Sequence, residues 1–211
     1  MDLRRFNMRL LLLLVVAATA VACSEVKEVG EYDNWKERNI AFADSLSDLT
    51  AGRVVFTAAE ADAMQIGTLY AIETSASTSK QNQYVYVKKL TANQVGVRPY
   101  YTDKVKAFYY GTYINGERFD GNFKGYSSLD KGTLDGNANM PDQFNASKEF
   151  GIANGLIAAW VMALQYMRQG ERWMVYAPYQ SAYGKDGSNS IMGYSLLTFD
   201  LILDEVVREE E

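Results

Sequence analysis

"VKAFYYGTYINGERFD", Val105 to Asp120, holds two strand-like runs around Asn115-Gly116. Aromatic and β-branched residues dominate both runs, as suits a pleated, half-buried surface. Asn-Gly tolerates positive φ at both central turn positions, so the pair predicts a type I′ hairpin. A paired strand ladder is therefore fixed near the middle of the chain, and the flanking segments are read outward from it.

Downstream, Gly121 to Gln143 is polar and glycine-rich with little periodicity. It reads as a long insertion or loop that carries Phe123, Tyr126, Leu129, Leu134 and Met140. Leu156 to Gln169 predicts a helix with Ile157, Trp160, Val161 and Leu164 on one stripe, Arg168 in the last turn and Gly170 as the stop. "RWMVYA" follows as a strand. "QSAYGKDGSNSI", Gln180 to Ile191, is a loop rich in turn formers, with Tyr183 near its start and Ile191 at its end. Leu197, Phe199, Leu201 and Leu203 then alternate with Thr198, Asp200, Ile202 and Asp204, the pattern of a half-buried strand.

Upstream, Tyr70–Glu73 and Tyr84–Lys89 read as strands joined by the polar "TSASTSKQNQ". "TAAEADAM" predicts a short helix with Thr57 as its N-cap. "NWKERNIAFADSLSDL" spaces Trp35, Ile40, Phe42, Ala43 and Leu46 for a partly amphipathic helix. That helix docks either on the body or on a second copy, which would make a homodimer. Strands around one helix give an α+β domain: a mainly antiparallel sheet wrapped around one helix, with an N-terminal helical extension.

The first residues carry a different signal. Arg4, Arg5 and Arg9 precede an apolar run from Leu10 to Ala18, then small residues and Cys23. The run is short for a membrane span and has the plan of a secretory signal. "AVAC" resembles a bacterial lipobox, with Ala20 where Leu is usual. The expected layout is a signal peptide over residues 1–22, a lipidated tether and N-terminal helices over 23–66, and a domain over 67–208 with an insertion at about 121–143. Lipid on Cys23 would anchor the chain to a membrane of the bacterial cell envelope, facing the periplasm or the surface. Removal of Asp2, Arg4, Arg5 and Arg9 with the signal leaves 18 basic and 25 acidic residues, a formal charge of −7. No nucleic-acid partner is expected from such a balance.

The composition excludes several chemistries. The 211 residues include 15 Tyr, one Cys and no His. Without His there is no Ser-His-Asp triad, Cys-His pair or ordinary zinc site. A single Cys forms no intrachain disulfide.

Taken together, the pieces resemble the FKBP family of peptidyl-prolyl cis–trans isomerases over about Val105 to Val206. Tyr109-Tyr110-Gly111, the hairpin Gly116 and Phe119-Asp120 are similar to the family's paired strands. "LIAAWVMALQYMRQGERWMVYAP" resembles its Val-Ile-x-Gly-Trp helix, with Leu156 for Val and Ala159 for Gly. "SAYGKDGSNSI" resembles its Ala-Tyr-Gly loop, and "SLLTFDLILDEV" its closing strand. The resemblance implies a proline-ring pocket of Tyr109, Phe119, Asp120, Ile157, Trp160, Tyr183, Ile191 and Phe199. Trp160 would be the floor, Phe119 and Phe199 walls, Tyr183 a donor to a substrate carbonyl, and Asp120 a polar group at the carbonyl end. Leu156 and either Phe144 or Phe150 would complete the wall.

The implied activity is peptidyl-prolyl isomerisation of exported proteins, with proline-containing polypeptides as substrates, macrolides as candidate ligands, and neither metal nor cofactor. An X-Pro bond crosses a barrier of about 18–20 kcal/mol and exchanges unaided in tens to hundreds of seconds. No covalent bond breaks, so the catalyst need only favour the twisted amide over both planar forms. Three departures point to the alternative, a non-catalytic FKBP-like binding or chaperone module. Met192-Gly193 replaces a common Pro-Pro, and Gly193 is expected to loosen the loop. The Arg that often pairs with the Phe-Asp carboxylate is missing, leaving Lys124 or Lys131 to substitute. The third departure is the insertion itself.

Overall fold

The computed structural model describes residues 30–74 and 83–208. The expected signal segment and Cys23 lie outside the described residues. Among those described, no helix is long and apolar enough to cross a membrane.

The chain runs α1 (Trp35–Thr50), β1 (Val54–Val55), α2 (Ala58–Asp62), β2 (Leu69–Thr74), β3 (Gln83–Thr91), β4 (Lys104–Thr112) and β5 (Arg118–Gly121). It continues with β6 (Lys148–Gly151), α3 (Ala158–Tyr166), β7 (Arg172–Ala177), a short 3₁₀ turn (Tyr179–Ser181) and β8 (Leu197–Val207). Seven strands lie in the order β1-β2-β3-β7-β8-β4-β5, and β6 adds to β4. Every pair is antiparallel except the two-residue contact of β1 with β2. The fold is the expected α+β arrangement with a mixed rather than wholly antiparallel sheet.

α3 packs across β2, β3 and β7 on one face. Ala159, Ala163 and Leu164 are fully buried there against Ile72, Val85, Val87, Trp173 and Val175. The small alanines let the helix approach the strands closely. The helix is shorter than its apolar stripe predicts. It begins after Ile157, which is extended at φ −64 and ψ 149, and it stops before Met167. Arg168 leaves the helix to clamp Asp62 with two nitrogens, each at 2.8 Å, and Arg98 adds a third bond at 2.7 Å. These bonds, that of Arg168 first, hold the Asp62 carboxyl well below the usual carboxylate range.

β8 departs from its expected half-buried pattern. Leu197 to Leu203 are buried on both sides, because the second face is also covered. There Leu46 of α1 joins Leu69, Tyr86, Met174 and Tyr176 in a separate apolar cluster, with Leu134 of the insertion above them. α1 belongs to the same compact unit as the sheet. Its Trp35 Nε1 donates to Ser195 Oγ at 3.1 Å, and Asn39 Oδ1 accepts from Leu196 N at 2.7 Å. The N-terminal helix thus docks on the body. α2 has the predicted Thr57 cap, completed by a reciprocal bond from Glu60.

The hairpin between β4 and β5 is not type I′. The Gly116 N–H donates to Tyr113 O, and Tyr113 N–H to Glu117 O, both at 2.9 Å. Gly116 alone takes positive φ, +85°, while Asn115 does not. This is a three-residue loop, a type I turn closed by a glycine in the left-handed region. Asn115 instead turns its Oδ1 to accept from Glu117 N.

The segment after β5 has no strand or helix up to β6, yet it is packed. Phe123 and Leu134 are buried, whereas Leu129 and Met140 are exposed. It closes over an ion pair of Arg172 and Asp200, whose side chains are 1% and 0% exposed. Arg172 Nε and Nη2 donate to the two Asp200 oxygens at 2.8 and 2.5 Å. Arg172 Nη1 donates to the Gly136 and Ala138 carbonyls, and Tyr126 N donates to Asp200 Oδ2. Gly125 is required by that closeness, since a Cβ there would lie 2.4 Å from Asp200 Oδ2. Gly136 is likewise held close, with a Cβ there 2.4 Å from the Leu90 carbonyl.

Candidate active site

The other face of β4 and β8 carries aromatic rings. Tyr109 and Phe199 come from these central strands, on positions that alternation turns toward α3. Consecutive residues of β5 should point to opposite faces, yet Phe119 and Asp120 both reach this side. A bulge resolves the conflict: Gly111 pairs with Asp120 and Thr112 with Arg118, so Phe119 is the extra residue. Bulges re-aim side chains in this way beside functional sites. Gly111 makes room for the result, because a Cβ there would sit 2.7 Å from the Phe119 ring.

Trp160, three residues past the turn into α3, lies at the centre. Its ring meets Tyr109 at 5.2 Å, Phe150 at 5.2 Å and Phe199 at 5.4 Å, all edge-to-face. Phe119 meets Phe199 at 5.6 Å in the same way. Such contacts each contribute about 0.5–1.5 kcal/mol beyond burial. They also fix the rings at mutual angles that leave a hollow rather than a stacked plug. The hollow is open and has a volume of about 110 Å³. The indole N–H of Trp160 is buried without a hydrogen-bond partner. A buried unsatisfied donor costs about 1–3 kcal/mol, a burden that a pure packing site would be expected to avoid.

Of the residues singled out in the sequence, Tyr109, Phe119, Asp120, Ile157, Trp160, Tyr183 and Phe199 line this one pocket, with Leu156 beside them. Phe150 completes the wall; Phe144 is 86% exposed and takes no part. Ile191 does not line the pocket. It is half-buried against the core and shares a tight turn with Ser188, their N–H groups and carbonyls exchanging bonds at 2.9 and 2.7 Å. Ile191 props the loop, and Tyr183 is the residue that overhangs the pocket.

Gly193 does not loosen that loop. A Cβ there would lie 2.0 Å from the Lys185 carbonyl, so glycine permits the loop to fold back on itself. The Gly184 N–H donates to Tyr179 O, and Tyr194 N–H to Gly184 O. The Tyr113 hydroxyl donates to Ser190 O at 3.0 Å and ties the tip to the hairpin. Tyr183 is 41% exposed, and none of the hydrogen bonds found among the described residues engages its hydroxyl.

Among the described residues no cation pairs with the Asp120 carboxylate. Tyr109 Oη donates to Oδ2 at 2.9 Å, and Gly121 N–H to Oδ1 at 2.7 Å. Neither Lys124 nor Lys131 pairs with it, and Lys131 lines a cleft on the opposite face. Burial first, then the bond to Asp120, pushes the Tyr109 phenol far above its ordinary value, so it remains a donor. Arg118, which precedes Phe119, donates to the backbone carbonyls of Asp120 and Gly121 and stiffens the strand.

Two lining residues escaped the sequence reading: Gly155, before Leu156, and Lys148 of β6. Lys148 stands two residues before Phe150 on one strand, so alternation puts both on the same face. That spacing was the available signal.

A larger cleft of about 540 Å³ separates α1 from the 128–132 segment. It has none of the aromatic convergence seen around Trp160.

Comparison with known proteins gives a consistent picture. A family model described as FKBP-type peptidyl-prolyl cis-trans isomerase matches residues 96–204, just over half of the chain. The chain is 32% identical over 127 residues to FKBP-type peptidyl-prolyl cis-trans isomerase FkpA of Aeromonas hydrophila, covering 60% of this chain and 38% of that protein. It is 33% identical over 113 residues to an FKBP-type 22 kDa peptidyl-prolyl cis-trans isomerase of Escherichia coli, covering 53% of this chain and 45% of that one. It therefore spans less than half the length of either relative. A crystal structure of a peptidyl-prolyl cis-trans isomerase from Pseudomonas syringae aligns with TM-score 0.49 at 20% identity, covering 81% of this chain and 96% of that chain.

Proposed function

Since the chain belongs to the FKBP-type peptidyl-prolyl cis-trans isomerase family, we propose that it accelerates cis–trans exchange of X-Pro bonds in polypeptides, and that the Trp160 pocket does so. The observation that carries this reading is the convergence of Tyr109, Phe119, Phe150, Trp160 and Phe199 on one open hollow. A prolyl ring is apolar, compact and rigid. Seated on Trp160, it leaves the preceding carbonyl at the rim, out of bulk water. An amide loses its resonance dipole as it twists, so a dry apolar wall penalises the twisted form less than the planar ones. Each thousandfold acceleration needs roughly 4 kcal/mol of such differential stabilisation.

In this reading Tyr183 offers its hydroxyl to a substrate carbonyl. Asp120, held by Tyr109, supplies a fixed negative end to the pocket. Leu156 and Ile157 close the side toward α3, and macrolides that carry a proline-like ring are candidate ligands of the same hollow. Residues 1–22 serve as export signal, and Cys23 carries the lipid that tethers the domain in the bacterial envelope. There it assists folding of exported chains. The basis for the anchor is the sequence alone, Arg4 to Cys23. Incubating the mature protein with an X-Pro peptide in a protease-coupled or NMR exchange assay tests the activity. Acceleration at micromolar protein is expected; its absence overturns the reading.

A further inference from the structure

The pocket has a cation that its chemistry does not explain. Lys148 lines the hollow on β6, near Phe150 and on the same edge of β4 as the strand that bears Asp120. Its ammonium lies 5.4 Å from the Phe150 ring centroid. That contact stations the charge at the wall instead of leaving it loose in water. No ion pair to Lys148 is found among the described residues, although its neighbour Glu149 reaches Lys104 at 3.9 Å. Asp120, the other charged lining residue, already accepts from Tyr109 and Gly121. The two charges do not neutralise each other, and the cation faces whatever chain lies across the mouth.

A bound X-Pro segment must cross that mouth, because the prolyl ring fills the hollow and the flanking residues extend along its rim. From this we infer that Lys148 is a specificity-determining residue, and that it selects polypeptides with an acidic side chain next to the proline. The inference rests on the isomerase reading of the same pocket. Its geometry is that of an ion pair formed on one low-dielectric wall, with the lysine ammonium stationed over the Phe150 ring and able to meet a carboxylate. Because Lys148 is exposed, the preference is modest. Exposed pairs reach about 1 kcal/mol, so roughly three- to fivefold discrimination is expected. It should fade at 1 M salt, where the screening length falls to about 3 Å.

The test compares peptides that share one sequence except beside the proline: Glu-Pro, Leu-Pro and Lys-Pro, and a second set with Glu, Leu or Lys after the proline. The mature protein is measured alongside Lys148→Met, which keeps the apolar stem, and Lys148→Glu, which reverses the charge. Lys131→Met removes the same charge from the opposite face. Both kcat/KM and peptide affinity by fluorescence anisotropy are read. In at least one of the two sets, the parent favours the Glu peptide over the Leu peptide three- to fivefold. Lys148→Met brings that ratio to one, Lys148→Glu shifts preference to the Lys peptide, and Lys131→Met leaves the ratio as in the parent. The set that responds tells which side of the proline lies at β6. A parent ratio of one in both sets, or a ratio that survives Lys148→Met, overturns the inference. Failure to accelerate any peptide would count against the isomerase reading instead, and the anisotropy ratios would still decide the role of Lys148.

Discussion

On one side of β8, Phe199 joins Trp160 and Phe119 around an open hollow. On the other side, the next residue, Asp200, is sealed under a glycine-rich segment and bonded to Arg172 with both oxygens. The first region leaves a buried N–H unpaired on Trp160. The second gives its buried ions partners from Gly136, Ala138 and Tyr126. Adjacent residues of one strand thus show two ways to finish a sheet. An unpaired donor at the edge of an apolar hollow is what a binding site retains. A saturated ion pair is what holds a long segment in place without secondary structure.

The largest effect should come from the sealed side. Asp200→Ala leaves Arg172 buried without its counter-charge, which costs about 3–5 kcal/mol in urea or thermal unfolding. Replacing both residues with apolar ones, Arg172→Met with Asp200→Leu, should recover most of that loss. If Asp200→Ala unfolds at the parent's midpoint, the contrast between the two faces fails.

Trp160→Ala comes next. Removing a buried indole costs about 3 kcal/mol or somewhat more, and the floor of the pocket goes with it. Stability and prolyl-peptide binding should fall together. In the folded fraction of Asp200→Ala, by contrast, peptide affinity should stay near the parent's. Loss of binding in both variants would mean that the faces are not independent.

Much of this division was legible in the sequence. Alternation in Leu197–Leu203 placed Phe199 and Asp200 on opposite faces, and the spacing of Ile157, Trp160 and Leu164 placed the indole against the sheet. What escaped has physical causes. A bulge at Gly111 breaks the two-residue period, so the joint arrival of Phe119 and Asp120 at the pocket followed from the family resemblance and not from periodicity. The 121–143 segment reads as polar because its packing rests on backbone carbonyls that bind one arginine, and backbone partners leave no mark in composition. Ile191 and Phe144 stand at plausible spacings, but spacing along a loop does not say which way a side chain points. Gly193 read as a source of slack because glycine is flexible in isolation, whereas here it admits the Lys185 carbonyl.

A milder variant sharpens the contrast by weakening an ion cluster that is only partly buried. Asp62 bonds Arg98 and Arg168 with its side chain 24% exposed. Asp62→Asn should cost about 1 kcal/mol at pH 7, much less than Asp200→Ala. The sign with pH follows from the depressed carboxyl. The stability it contributes is complete above the unfolded pKa, about 3.9, and is lost as pH falls from there through the lower folded value. The parent and Asp62→Asn should therefore converge in urea midpoint toward acid. A constant gap from pH 7 downward would show that the bonds to Arg98 and Arg168 are not the cause.

The smallest effect concerns the pocket rim. Tyr183→Phe removes one hydroxyl that no hydrogen bond engages among the described residues. Thermal unfolding should be unchanged, and affinity for a prolyl peptide or macrolide should weaken by about 0.5–1.5 kcal/mol. A marked loss of stability with affinity intact would make the hydroxyl a structural anchor.

The central claim is that the open aromatic face is a site for X-Pro isomerisation. NMR exchange spectroscopy on a short X-Pro peptide, with the mature protein at a few micromolar, measures it without a coupling protease. Cis–trans exchange should rise from its uncatalysed rate to one that produces cross-peaks, and Trp160→Ala, held folded at low temperature, should abolish the gain. Exchange at the uncatalysed rate with the folded parent protein present would contradict the account.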